Sequence, residues 1–357
     1  MKIFIIFALI SLPLFAKTYK VKVFAESGAE EKALEYIQSM SEMEPFKQLI
    51  EKKVMSIEST PVLVTGINCR GGAYGIARLA QCDLENVQKG CGNADLCPVY
   101  TSVPNIGAGN QRYPIVSSSF PWTTMLHEVV HTFGFTDEYA YTKSETGTYC
   151  PNDVSWHNGH SHVTRNSEVE LFKDKKSAEE SCKKKIPWCG QALESGAEVV
   201  QKDADGKYKI GSPLPASCPN VTLGVFAGGS CQAKSPNGTW RPYYCPTVMG
   251  FPSLGEEFCE VSKRHKIIRH SPNLLPEYYQ VKIFKKIISE SGQEQQFENR
   301  SVPDFDHHAY GIPEIDILSG HDGEVNDCKN TRTPSSVKKK KNDPHANCFT
   351  HLEETKK

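Results

Sequence analysis

The chain has 357 residues, 38% of them hydrophobic and 23% charged, enough to bury a sizeable core in one large domain or two. Its 41 basic and 42 acidic residues leave a formal net charge of -1, so no global field points to nucleic acid or to an anionic surface. Thirteen cysteines with no C-x-x-C pair read as disulfides of an exported protein rather than as zinc knuckles, and the odd count leaves at least one thiol without an intrachain partner.

Residues 1–16 begin Met-Lys, continue as an apolar run from Ile3 to Leu12, and close on Pro13-Leu14-Phe15-Ala16. A charged start, a short apolar stretch and a small final residue predict a secretory signal peptide, and hence a secreted or periplasmic protein. The run is too short for a membrane span, and no other stretch is long enough.

Tyr19, Val21 and Val23 alternate along residues 17–25 and predict a first strand. Ala33, Leu34, Ile37 and Met40 recur at helical spacing and predict a helix over residues 30–57, cut in two at Pro45. Val62, Leu63 and Val64 predict a second strand within residues 61–67, so that strand, helix and strand form a right-handed crossover. Residues 69–110, rich in glycine and cysteine, read as pinned loops with short elements. Gly71-Gly72-Ala73-Tyr74-Gly75 lacks the Gly-Lys-Ser/Thr ending of a phosphate loop and reads as a turn. Tyr113, Ile115 and Val116 predict a strand in residues 112–119 that leads into the next helix.

That helix carries the chemistry. Trp122, Met125, Leu126, Val129, Val130 and Phe133 form one apolar stripe, while His127, Glu128 and His131 fall on the other face with Thr124. H-E-x-x-H on a helix sets two imidazoles one turn apart, where they can grip one zinc ion, with Glu128 beside them to take a proton from water. Ser119 is the expected N-cap, Pro121 suits the first turn, and Gly134 is where a left-handed cap would end the helix. A chain reversed there could bring Asp137, or its neighbour Glu138, to the same metal.

Over a hundred residues then separate this helix from Cys245-Pro246-Thr247-Val248-Met249-Gly250. Residues 140–244 read as an elaborated insertion stapled by disulfides, with helix-like stretches over 167–185. Within it, Trp156-His157-Asn158-Gly159-His160-Ser161-His162 reads as a polar surface loop, and Asp203-Ala204-Asp205-Gly206 as a β-turn rather than a calcium loop.

Together, His127, Glu128, His131, Gly134 and Asp137 with Met249 downstream resemble the metzincin clan of zinc peptidases, H-E-x-x-H-x-x-G-x-x-(third ligand) followed by a methionine turn. Histidine is the usual third ligand there; aspartate is similar to the snapalysin-type members, and the Asp137-Glu138-Tyr139 run is similar to that of bacterial IgA-cleaving metallopeptidases. The resemblance covers about twenty residues in two places. It implies zinc on His127, His131 and Asp137, Glu128 as general base, Met249 as the turn methionine beneath the metal, and the strand at 112–119 as the upper edge of the cleft. Phe251 stands where some members carry a tyrosine arm, so none is expected; Tyr243 and Tyr244 are distant candidates for steadying an oxyanion.

Residues 256–268 and 276–289 predict helices that would close the region below the metal. From 293 onward the sequence is polar, with a basic block at Lys338 to Lys341 that reads as a solvated tail; Asp304, Asp306, His307 and His308 receive no role. The expected fold is α/β in the α+β sense: a twisted mixed sheet with the active-site helix, a mostly helical lower subdomain and a disulfide-rich insertion. The expected boundaries are 1–16, 17–134, 135–292 and 293–357. The expected function is a secreted zinc endopeptidase acting on a protein or peptide substrate, without nucleic acid and without a membrane span; no oligomer signal is visible. Two alternatives stand beside it. One is a secreted zinc-containing binding protein or latent peptidase without turnover. The other is a gluzincin-type site with Glu168 or Glu170 as third ligand.

Overall fold

The computed structural model describes residues 17–109, 112–150, 163–165, 170–214, 222–234, 238–244, 247–250 and 274–293. The expected signal peptide, the histidine-rich loop at 156–162, Glu168, Cys245, Pro246, Phe251, the helix over 256–268 and the tail from 294 lie outside these residues.

The fold mixes helix and sheet. Strands β1 (Tyr19–Val21) and β2 (Phe24–Ala25) divide what the alternation predicts as one strand. β1 pairs in parallel with β3 (Met55–Ile57), whereas β2 enters a five-stranded sheet. Between them run α1 (Glu30–Glu42) and α2 (Phe46–Glu51), separated at Pro45 as expected; the final residues of the predicted helix, 55–57, are strand instead. Val54, Met55 and Ile57 are apolar and β-branched or flexible, and pairing with β1 outweighs their weak helical periodicity.

The sheet runs β4 (Val62–Leu63), β2, β5 (Val99–Thr101), β7 (Ile115–Ser117), β6 (Gly107–Ala108). All neighbours are parallel except the β6–β7 pair. Alternate residues serve two cores. Ala25, Tyr100 and Val116 face one that contains Ala33, Tyr36 and Met40 of α1; Phe24, Val99 and Ile115 face another that contains Val87 and Cys91 of α3 (Glu85–Cys91). The strand at 112–119 is therefore not the sheet's edge. Its paired part, Ile115–Ser117, lies buried between β5 and β6, and the last place in the sheet order belongs to the two-residue strand β6, whose outer side Leu79 bridges at Gly107.

Helix α4 (Trp122–Thr132) enters directly from β7. Met125, Leu126, Val129 and Val130 are fully buried against α1 and the sheet, as the apolar stripe requires. The residue at its N-terminus is Pro121, in extended backbone, and not Ser119. Ser119 sits too far upstream: its hydroxyl meets that of Ser117 at 2.7 Å and accepts the Asn105 N–H at 3.1 Å. Gly134 has φ of +88° and ends the helix as expected.

The insertion carries α5 (Lys143–Tyr149), β8 (Thr164–Arg165), α6 (Lys175–Lys185) and α7 (Cys189–Glu194). It continues with β9 (Val200–Lys202), β10 (Tyr208–Ile210), β11 (Phe226–Ala227) and β12 (Thr239–Arg241). β9 and β10 form a hairpin whose turn is held by Asp203, its carboxylate accepting the N–H groups of Asp205 and Lys207, so the aspartates there build a turn. Disulfides join Cys69 to Cys82, Cys91 to Cys97, Cys150 to Cys231 and Cys182 to Cys189. The last described helix, α8 (Glu277–Glu290), buries Tyr279, Ile283 and Ile287 in the same core as α4. Among the described residues no helix is long and apolar enough to cross a membrane.

Candidate metal centre

Four-residue spacing on α4 brings the rings of His127 and His131 to a centroid separation of 4.6 Å, edge to face. Each ring is fixed from behind. His127 Nδ1 lies 2.7 Å from the Val248 carbonyl and His131 Nδ1 lies 2.9 Å from the Phe135 carbonyl. A carbonyl only accepts, so both Nδ1 atoms carry protons and both Nε2 atoms are left to face each other, 3.1 Å apart.

The left-handed turn at Gly134 folds the chain back along the helix. It delivers the Phe135 carbonyl to His131 and then the Asp137 carboxylate, whose Oδ1 stands 3.1 Å from His127 Nε2 and 3.3 Å from His131 Nε2. Glu138, the other candidate, turns the opposite way. Its carboxylate accepts the Thr247 hydroxyl at 2.7 Å and the Tyr279 hydroxyl, and its N–H donates to the Met249 carbonyl at 2.8 Å. The geometry thus places Asp137 with the histidines and commits Glu138 to the turn at 247–250. Met249 is fully buried in that turn, next to the carbonyl that holds His127. Glu170 accepts Lys185 Nζ at 2.7 Å and Ser181 Oγ at 3.3 Å, and is not brought to the histidines.

Glu128 is 5% exposed, and the edge strand passes close over it. A Cβ on Gly109 would stand 2.9 Å from Glu128 Oε2 and 3.0 Å from His131 Cδ2, so the close approach requires glycine there. Beside these residues opens a cavity of about 720 Å³, lined by His127, Glu128, His131 and Asp137 together with Arg78 and Tyr139.

His127, His131 and Asp137 have ligand atoms within 4.8 Å of one another and are, among the described residues, a group able to hold a metal ion. A further observation fits a cation at their centre. Asp137 Oδ1 is buried and accepts no properly directed hydrogen bond, although both Nε2 atoms are near it. The three atoms stand 3.1–3.3 Å from one another, a spacing that ligands of one ion can share. Electrostatics agree: burial alone would pull His131 down, yet Asp137 and Glu128 raise it to about 9. Burial likewise opposes ionisation of Asp137, but the two imidazoles hold its carboxyl well below the usual carboxylate range. The pocket retains positive charge, as a proton or as a metal.

Around the centre stand Tyr139, which closes the Asp137-Glu138-Tyr139 run, and Arg78, Tyr141 and Glu145, which no metal-site motif marks. Tyr141 lines the cavity and packs edge-on against Tyr139, ring centroids 5.8 Å apart. Arg78 donates to Tyr139 Oη at 3.2 Å, and its Nε donates to Glu145 at 3.1 Å. Glu145 in turn closes a capping box with Thr142 at the start of α5, a T-x-x-E signature that the sequence does display. Tyr243 packs on Tyr279 with centroids 5.3 Å apart and Tyr244 on Phe226 at 5.9 Å, so neither tyrosine lines the cavity.

No protein-family description, no curated protein and no solved structure matches this chain. Its chemistry therefore stands on the geometry.

Proposed function

We propose that the chain is an exported zinc-dependent endopeptidase of the metzincin kind, acting on proteins or peptides. The observation that carries this reading is the convergence of His127 Nε2, His131 Nε2 and Asp137 Oδ1 beside the buried carboxylate of Glu128, in one cavity. Two imidazoles and a carboxylate are a zinc donor set of the catalytic type, which leaves a position open. When bound, zinc would supply Lewis acidity toward a peptide carbonyl and a water of near-neutral pKa.

The remaining steps fall to the chain itself. Glu128 takes a proton from the attacking water as the C–O bond forms, and the carbonyl π pair moves onto oxygen. It then delivers that proton to the amide nitrogen, the C–N bond breaks, and a carboxylate and an amine leave. The Val248 and Phe135 carbonyls keep both imidazoles in one tautomer throughout. The metzincin affinity is supported by the turn at 247–250, which holds His127 through Val248 and the third-ligand loop through Met249. Export is supported by the four disulfides.

Zinc content and casein cleavage, measured together on wild type and Glu128→Gln, test the proposal. Both proteins should carry one zinc per chain, and the variant should cleave roughly 10²–10⁴-fold more slowly. Zinc in both with cleavage in neither would favour a binding or latent protein. Zinc in neither would sink the reading.

A further inference from the structure

We propose that Tyr139 is a further catalytic residue, its hydroxyl donating to the carbonyl oxygen that gains charge as the peptide is attacked, with Arg78 as the positioning residue behind it. The assignment rests on the peptidase reading above and deepens it. Tyr139 lines the same cavity as Glu128 and the three candidate ligands, and its ring lies 6.5 Å from that of His127 with the planes 30° apart. Its oxygen receives the Arg78 guanidinium at 3.2 Å. A phenol that accepts there keeps its own proton to give.

The guanidinium beside it is already engaged. The Arg78 charge is balanced by Glu145, which binds it through Nε at 3.1 Å and through Nη2. Glu145 is itself pinned by the Thr142 hydroxyl at 2.9 Å and the Thr142 N–H at 2.9 Å. A neutralised, rigid guanidinium suits holding a neighbour better than capturing a free anion. This chain of contacts, from helix cap through carboxylate and guanidinium to phenol, ends at the cavity. Charge that appears on a substrate oxygen there meets a donor already oriented, the arrangement that electrostatic catalysis requires.

The test uses zinc-loaded wild type, Tyr139→Phe and Arg78→Gln. Its ligands are two uncleavable analogues of the casein bond that wild type cuts fastest, one phosphinic and one with a reduced amide. Tyr139→Phe should keep its zinc and lose roughly 10²-fold in kcat/KM, the size typical of removing one such donor. Calorimetry should show phosphinic affinity falling by the same factor while reduced-amide affinity stays within about twofold, because only the phosphinic group carries the tetrahedral charge. Arg78→Gln should slow wild type but add nothing once Tyr139→Phe is present. Unchanged kcat/KM in Tyr139→Phe overturns the assignment. So does an equal loss of both affinities, which would make Tyr139 a wall of the substrate site. A wild type that binds zinc and cleaves nothing overturns the peptidase reading itself, and this assignment with it.

Discussion

Asp137 and Glu138 are adjacent carboxylates with opposite assignments. The first points among the imidazoles, and the second is buried under Thr247 and Tyr279. The Asp137 charge is what lifts His131 to about 9 against its burial, and this has a measurable consequence for metal uptake. Binding must displace the His131 proton, so zinc affinity should rise about tenfold per pH unit, and keep rising until about pH 9. Competition with a chromophoric chelator across that range measures it. A plateau at about pH 7, where an ordinary histidine is already neutral, would show that Asp137 does not couple to His131 in this way. His127, Glu128, His131 and Asp137 were legible in the sequence because helical spacing and one glycine turn fix them locally. The choice of Asp137 over Glu138 was not, since it is made by Thr247 and Tyr279, 109 and 141 residues away from Glu138.

At the scale of elements, α5 shows how a capping motif can serve a distant wall of the cavity. Thr142 and Glu145 bond reciprocally at its start, and Arg78 arrives from the loop before α3 to take the same carboxylate. Burial would raise the Glu145 pKa, but the Thr142 N–H and the Arg78 guanidinium hold it below its ordinary value of 4.5. A depressed carboxyl stabilises the fold fully above its unfolded value and loses that contribution as pH falls through the folded one. Glu145→Ala should therefore unfold more easily at neutral pH by about 1–2 kcal/mol in urea titrations, with the gap to wild type narrowing well below pH 4. A gap of the same size at both pH values would show that lost packing, not the charge, was responsible. Helices α1, α4 and α8 were readable because ten or more residues display a period. Strands β4 and β6 span two residues each, too few to show alternation, so the sheet's real edge stayed hidden. β5, near the middle of the sheet, lies among glycines and cysteines that suggested loops with short elements and marked no particular strand.

At the scale of the whole molecule, the parts that build the centre come from sequence-distant segments. The sheet and α4 carry the histidines, the turn at 247–250 props one of them, and α8 closes on Glu138 through Tyr279. The insertion between them contributes Glu145 and Tyr149 to the cavity's surroundings, and it adds Trp188 to the core shared with α1 and α4, where the indole donates to the Gly224 carbonyl at 2.7 Å. That a chain of 357 residues would build a core of mixed sheet and helices was foreseeable from composition and period. The pairing of the cysteines was not, because it depends on which loops the tertiary fold brings together.

One of those pairs matters for a protein that would work among peptidases, its own copies included. Cys150 and Cys231 are 81 residues apart and enclose most of the insertion in a covalent ring. A single cut anywhere inside that ring leaves His127, Glu128, His131, Asp137 and the turn at 247–250 on fragments that remain joined. Nicked protein should run at full length on a non-reducing gel, split into two bands on a reducing one, and retain its cleavage activity until the disulfide is reduced. Activity lost at the moment of nicking would mean that the ring's continuity, and not only its closure, shapes the cavity.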